Sequence, residues 1–157
     1  MKAQIQSSLF LVSEIKVSYQ PKFNANERPK INQSKDAYNI LFNNWDQGKI
    51  EMQEQFYILL LNQANRVIGM TLISSRGISA TLTDPKLIFG VALKSCASGI
   101  ILCHNHPSSN LKPSQADLTL TRRLVEAGKL LDLQILDHII LTKRGYFSFG
   151  DEGLLKP

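Results

Sequence analysis

Apolar and polar side chains along the chain follow two periods, about 2 where strands are expected and about 3.6 where helices are. Ser8–Tyr19 places Leu9, Leu11, Ile15 and Val17 among polar neighbours, which predicts an extended strand or a pair of short strands. Gln20–Gln33, with Pro21, Asn24, Asn26, Pro29 and Asn32, reads as a loop. Ser34 is placed to cap a helix that carries Ala37, Ile40, Leu41 and Trp45 on one face and ends near Gly48. Phe56–Leu61 gives the strongest strand signal, a nearly continuous apolar run of the kind buried on both faces. The turn Asn62–Asn65 returns the chain into a second strand, Val67–Ile73, and a short strand is predicted at Ile78–Leu82.

Asp84 followed by Pro85 predicts a helix start, because proline fits the first helical position and aspartate complements the N-terminal dipole. That helix runs through Leu87, Val91 and Leu93 to about Ala97. Gly99–Cys103 reads as a buried strand and His104–Pro113 as a polar loop. Ser114 caps a helix through Leu118, Leu124, Val125 and Leu130, and Leu133–Leu141 with Tyr146–Phe149 forms a closing hairpin about Lys143, Arg144 and Gly145. Strands and helices mixed in this way, with hairpins at both ends, predict an α/β fold of the α+β type, a mixed β-sheet flanked by helices.

The size, 157 residues with 43% hydrophobic and 20% charged content, suits one globular domain with a real core. The expected division is an N-terminal extension at residues 1–49 and a folded domain at 50–157. Met1–Phe10 has no apolar run followed by a cleavage site, and no segment reaches the roughly 20 apolar residues of a membrane span. The expectation is a soluble, cytoplasmic protein. Cys96, on a helix, and Cys103, at a strand end, lack the spacing of a disulfide scaffold and read as free buried thiols. The net charge of +5 permits attraction to nucleic acid, yet the basic residues are scattered and not interleaved with aromatics. Lys112, Arg122, Arg123 and Lys129 fall near the candidate site described next, or else form a solvated helix face.

Two of the three histidines, His104 and His106, stand one residue apart where a buried strand runs into a loop. In extended backbone such residues share a face, so both imidazoles can turn toward one point, while Cys103 points to the other face. Zinc accepts imidazole nitrogen at roughly 2.0 to 2.1 Å and usually keeps three protein ligands and a water in catalytic sites. Asp117 is the candidate third ligand, presented from the first turn of the helix that Ser114 starts. Ser114-Gln115-Ala116-Asp117 equally fits the Ser-x-x-acid capping box, which needs no metal, and the two roles are partly compatible. His138, among Leu136, Asp137, Ile139 and Ile140, reads as a satisfied strand histidine, with an outer role toward the metal ligands open, for example through Asp137.

His104-Asn105-His106-Pro107 with the later Ser114 and Asp117 resembles the JAMM (MPN or JAB1) metalloprotease motif. Leu59–Asn62, Asp84-Pro85, Ile100–Ser108, Thr121–Gly128 and Leu136-Asp137-His138 extend the likeness to the JAB domain of RadC-like bacterial proteins, over roughly Glu51–Leu155. The resemblance implies the JAB/MPN, cytidine-deaminase-like, architecture. It implies that His104, His106 and Asp117 bind zinc, that Ser114 helps stabilise a developing oxyanion, and that a glutamate just before the first buried strand is the general base. Glu54 fits that register better than its rival, Glu51. The implied chemistry is hydrolysis of an amide or isopeptide bond by a zinc-activated water.

Asn105 stands where many JAMM enzymes carry serine or threonine; RadC-like proteins share the asparagine, which leaves the substrate class open. Full-length RadC-like proteins also carry a helix-hairpin-helix-like region, whereas Met1–Lys49 holds one glycine, Gly48, and no paired glycine hairpins. The chain is therefore expected to hold little beyond the catalytic domain. The alternative function is a DNA-repair or mobile-element accessory protein that binds nucleic acid. A metal-free interaction module is opposed by the intact ligand set, a zinc nuclease by the lack of a further acidic cluster, and a zinc deaminase by the absence of His-x-Glu with Pro-Cys-x-x-Cys.

Overall fold

The computed structural model describes residues 12–14, 16, 18–75 and 83–156. The described residues form a five-stranded mixed sheet with three α-helices, an α+β fold consistent with a JAB/MPN domain. In chain order the elements are α1 (Ser34–Asn44), β1 (Gln55–Leu61), β2 (Val67–Ser75), α2 (Pro85–Lys94), β3 (Gly99–Asn105), α3 (Gln115–Leu130), β4 (Gln134–Thr142) and β5 (Gly145–Ser148). The sheet order is β2-β1-β3-β4-β5. β1 pairs antiparallel with β2 and β3, β4 with β5, and only β3 and β4 run parallel, joined by α3 as the crossover.

Period-two alternation divides the central strands between two cores. Leu59, Leu61, Ile101, Cys103, Ile139 and Leu141 face α1 and pack with Ala37, Leu41 and Trp45. Ile58, Leu60, Ile100 and Leu102 face the other way and pack with Ile88, Phe89 and Ala92 of α2 and Leu124 of α3. Each such fully buried aliphatic side chain contributes about 1.5–3 kcal/mol. β1 and β3 are buried on both faces, which is why both read as continuous apolar runs.

Several expectations are corrected. Ser34 is the first residue of α1, not its cap: the Asp36 carboxylate accepts from the backbone N–H of Asn32 at 2.9 Å and of Gln33 at 3.2 Å, and Ser34 Oγ donates to Asp151 instead. α1 ends at Asn44 rather than near Gly48. β3 runs through His104 to Asn105, so the loop begins at His106. α2 ends at Lys94, and Cys96 is exposed in the following turn at φ +54°, not buried on a helix. The described positions of Ser8–Tyr19 lie in no strand, and the predicted strand Ile78–Leu82 lies outside the described residues. Asp84 caps α2 as expected, accepting from Lys86 N at 2.9 Å. No helix among the described residues is long and apolar enough to cross a membrane.

Candidate metal centre

The candidate site forms where the carboxyl end of β3 meets the N-terminus of α3, a usual place for ligands beside parallel strands. His104 shares the strand face of Ile100 and Leu102 and so points toward α3, while Cys103 points into the α1 core. Burial first, and the nearby Asp137 carboxylate second, push the Cys103 thiol well above its ordinary range. It takes no part in the site.

His104 Nε2 lies 2.9 Å from His106 Nε2 and 3.3 Å from Asp117 Oδ1, and His106 Nε2 lies 3.8 Å from Asp117 Oδ2. Tetrahedral coordination at roughly 2.0–2.1 Å places neighbouring donor atoms about 3.3 Å apart, so these spacings suit a small ion at the centre. The chemistry of the donors agrees. The His106 Nδ1–H donates to the Asn110 carbonyl, which can only accept; this leaves Nε2 as a lone pair turned toward His104 and Asp117. Two imidazole nitrogens and a carboxylate converging this closely are a donor set that fits a cation. His104, His106 and Asp117 could together hold a metal ion.

The cap and ligand readings of Asp117 are reconciled oxygen by oxygen. Oδ2 accepts from Ser114 N at 2.7 Å and Ser114 Oγ at 2.6 Å, while Ser114 Oγ accepts from Asp117 N at 3.2 Å, which completes the capping box. Oδ1 is left aimed at His104. Burial alone raises the Asp117 pKa, but hydrogen bonding and charge from a His104 that carries a proton on Nε2, with the two donors of Ser114, prevail and hold the carboxyl well below its usual range; a metal ion would take the place of that proton. The Ser114 hydroxyl proton is thus committed to Asp117; aiding an oxyanion would require it to turn away.

Glu54, immediately before β1, is half-buried and lines the same cleft of about 520 Å³ as His104, His106, Ser114 and Asp117. Glu51 is not among the lining residues and binds Lys143 Nζ at 2.7 Å. Arg123 also lines this cleft, whereas Lys129 lines a separate one at the far end of α3, so the basic residues noted in the sequence do not share one surface.

Sequence reasoning left an outer role for His138 open, and missed the parts that Asn105 and Thr121 play in holding the site in place. Asn105 is fully buried, its Oδ1 accepting from Gln55 N and its Nδ2 donating to the carbonyls of Ile50 and Gln53. These bonds clamp the segment that carries Glu54. His138 is fully buried, with its Nε2 2.8 Å from His104 Nδ1 and its Nδ1 2.6 Å from Thr121 Oγ1. Burial, reinforced by the neighbouring His104, pushes His138 well below the ordinary imidazole range. Asp137 takes a different route: it faces away and accepts from Ser148 Oγ and Gly150 N as well as from His138 N. Phe56 stacks near-parallel to His104 and Phe149 to His138, closing the rings from water. The four-residue spacing of Asp117 and Thr121 on one helix was the available signal for Thr121.

A mixed sheet of this order, with a His-x-His strand end and a capping aspartate on the crossover helix, defines a metal-site domain of the JAB type. The model of the RadC-like JAB domain family matches residues 31–154. The chain belongs to that family. It is 46% identical over 125 residues to a UPF0758 protein of Flavobacterium johnsoniae, covering 80% of this chain and 53% of the relative. A UPF0758 protein of Porphyromonas gingivalis is 47% identical over 104 residues, 66% of this chain and 46% of the relative. One from Alkaliphilus metalliredigens is 39% identical over 126 residues, covering 80% and 53%. The chain spans about half the length of the curated relatives it matches.

Proposed function

We propose that this chain is a zinc-dependent hydrolase of the JAMM type that cleaves an amide or isopeptide bond. The observation that carries the reading is the convergence of His104 Nε2, His106 Nε2 and an Asp117 oxygen, with Glu54 lining the same cleft. His104, His106 and Asp117 would hold the metal. Bound zinc supplies a water of near-neutral pKa and an electrophile for the substrate carbonyl.

The protein's own groups do the rest. Glu54, as general base, takes a proton from the attacking water and returns it to the leaving amine. Asn105 fixes the backbone on either side of Glu54, so the carboxylate is aimed by the buried part of the fold. Ser114 orients Asp117 in the resting state, and its hydroxyl is within the cleft where charge develops on the carbonyl oxygen. Arg123, at the cleft wall, favours a substrate with negative charge beside the scissile bond.

The test is zinc content by elemental analysis of the wild type beside His104→Ala, Asp117→Ala and Glu54→Gln, with peptide hydrolysis assayed on the same samples. About one zinc per chain is expected in wild type and Glu54→Gln, and little in the two ligand variants. Hydrolysis is expected in wild type alone. A wild type that takes up no zinc when supplied with it rejects the proposal.

A further inference from the structure

A metal ligand works only if its lone pair, not its N–H, faces the ion, and for His104 that choice is made away from the metal. Thr121 Oγ1 lies 2.6 Å from the carbonyl oxygen of Asp117, which can only accept, so the single hydroxyl proton is spent there. Thr121 therefore accepts from His138 Nδ1, 2.6 Å away. A neutral His138 with its proton on Nδ1 has a lone pair on Nε2, and at 2.8 Å that lone pair accepts from His104 Nδ1–H. When His104 is neutral, its single proton is therefore on Nδ1, and Nε2 is bare and turned toward Asp117. Every hydrogen in the chain Asp117 carbonyl, Thr121, His138, His104 has one direction.

We infer that His138, backed by Thr121, is a positioning residue that sets the tautomer of His104 and aims its Nε2 at the metal, an inference that rests on the zinc-hydrolase reading. The route closes on itself. Thr121 takes its direction from the main chain of Asp117, the residue whose side chain is the third ligand, so the helix turn that presents the carboxylate also fixes the histidine opposite. His138 and Thr121 are no more than 1% exposed, and the rings are walled by Phe56 and Phe149, so no water competes for these bonds. Such outer partners typically govern metal affinity by about 10–100-fold.

Two measurements test this. Long-range ¹H–¹⁵N NMR of the three imidazoles in zinc-free wild type at alkaline pH is expected to show His104 and His138 protonated on Nδ1; an Nε2–H tautomer at His104 overturns the inference. Zinc affinity by competition with a chelating dye is then compared between paired variants. Thr121→Val, which keeps the shape, and His138→Phe are each expected to weaken binding by about tenfold or more. Thr121→Ser, which keeps the hydroxyl, and His138→Gln, which can accept from His104 and donate to Thr121, are expected to recover most of the loss. Equal affinity in Thr121→Val and wild type removes the positioning role while leaving the zinc site standing. A wild type that binds no zinc fails the hydrolase reading, and the NMR tautomers still decide the hydrogen-bond chain.

Discussion

The side-chain oxygen of Asn105 accepts a hydrogen bond of 2.7 Å from the backbone N–H of Gln55, across the pair of central strands. The same amide donates to the carbonyls of Ile50 at 2.7 Å and Gln53 at 2.9 Å, so one buried side chain satisfies three main-chain groups in the segment around Glu54. Removing a partner from a buried polar group costs about 1–3 kcal/mol for each group stranded. Asn105→Ala is expected to lose about 3 kcal/mol or more of stability in urea unfolding, because water entering the vacated space recovers part of the loss. Zinc affinity should fall much less than in Asp117→Ala, since no ligand touches the amide. A midpoint within error of wild type would show that the clamp is not needed.

Asp137 provides a pH test. Burial raises its carboxyl against the opposing hydrogen bonds from Ser148, Gly150 and His138. A raised carboxyl pKa means that the native state holds a proton over a window where the unfolded chain, with its value near 3.9, has lost it. Within that window the native state binds more protons, so the Asp137 contribution to stability falls as pH rises from about 3.9 to the folded value, and is level above it. Asp137→Asn keeps the shape and cannot titrate. The difference in unfolding free energy between wild type and this variant should therefore slope downward with pH across the window, whereas a flat difference contradicts the raised value. Zinc content should be unchanged, because Asp137 faces away from the ligands.

The two thiols should differ sharply in chemistry. Cys96 is exposed just past α2, whereas Cys103 is fully buried and held as the thiol. Thiolate is the reactive form, so iodoacetamide on the native protein should modify Cys96 alone, and both residues after unfolding in guanidinium. Peptide mass mapping reads this directly. Rapid native labelling of Cys103 would contradict the packing of β3 against α1.

Gly128, near the end of α3, accepts hydrogen bonds from Leu131 N and Leu133 N as the chain turns back toward β4. A Cβ there would lie 2.2 Å from the Leu133 carbonyl oxygen, which is backbone and cannot swing aside. Alanine gains about 1 kcal/mol of helix propensity over glycine, but forcing the turn apart costs about 1–3 kcal/mol and also disturbs the two hydrogen bonds. Gly128→Ala is expected to be net destabilising by about 1–2 kcal/mol in thermal or urea unfolding. A stabilised variant would show that the turn yields.

The sequence by itself determined the order and type of the elements from α1 to β5 among the described residues, and the His104, His106 and Asp117 donor set that could hold a metal. Apolar periodicity is a local record of burial: the continuous run Phe56–Leu61 requires two covered faces, and Asp84-Pro85 starts a helix through backbone chemistry alone. His104 and His106 were legible because two-residue spacing forces a shared face, and Asp117 because its motif partner Ser114 is three residues away. Only the tertiary structure decided how these are supported. Asn105 to Gln55 and His104 to His138 are 50 and 34 residues apart in sequence, and their contact depends on the antiparallel pairing of β1 with β3 and the parallel pairing of β3 with β4. Buried hydrogen bonds have no periodicity to leave in a sequence; they exist because desolvated polar groups must find partners among whichever residues the strand register brings alongside.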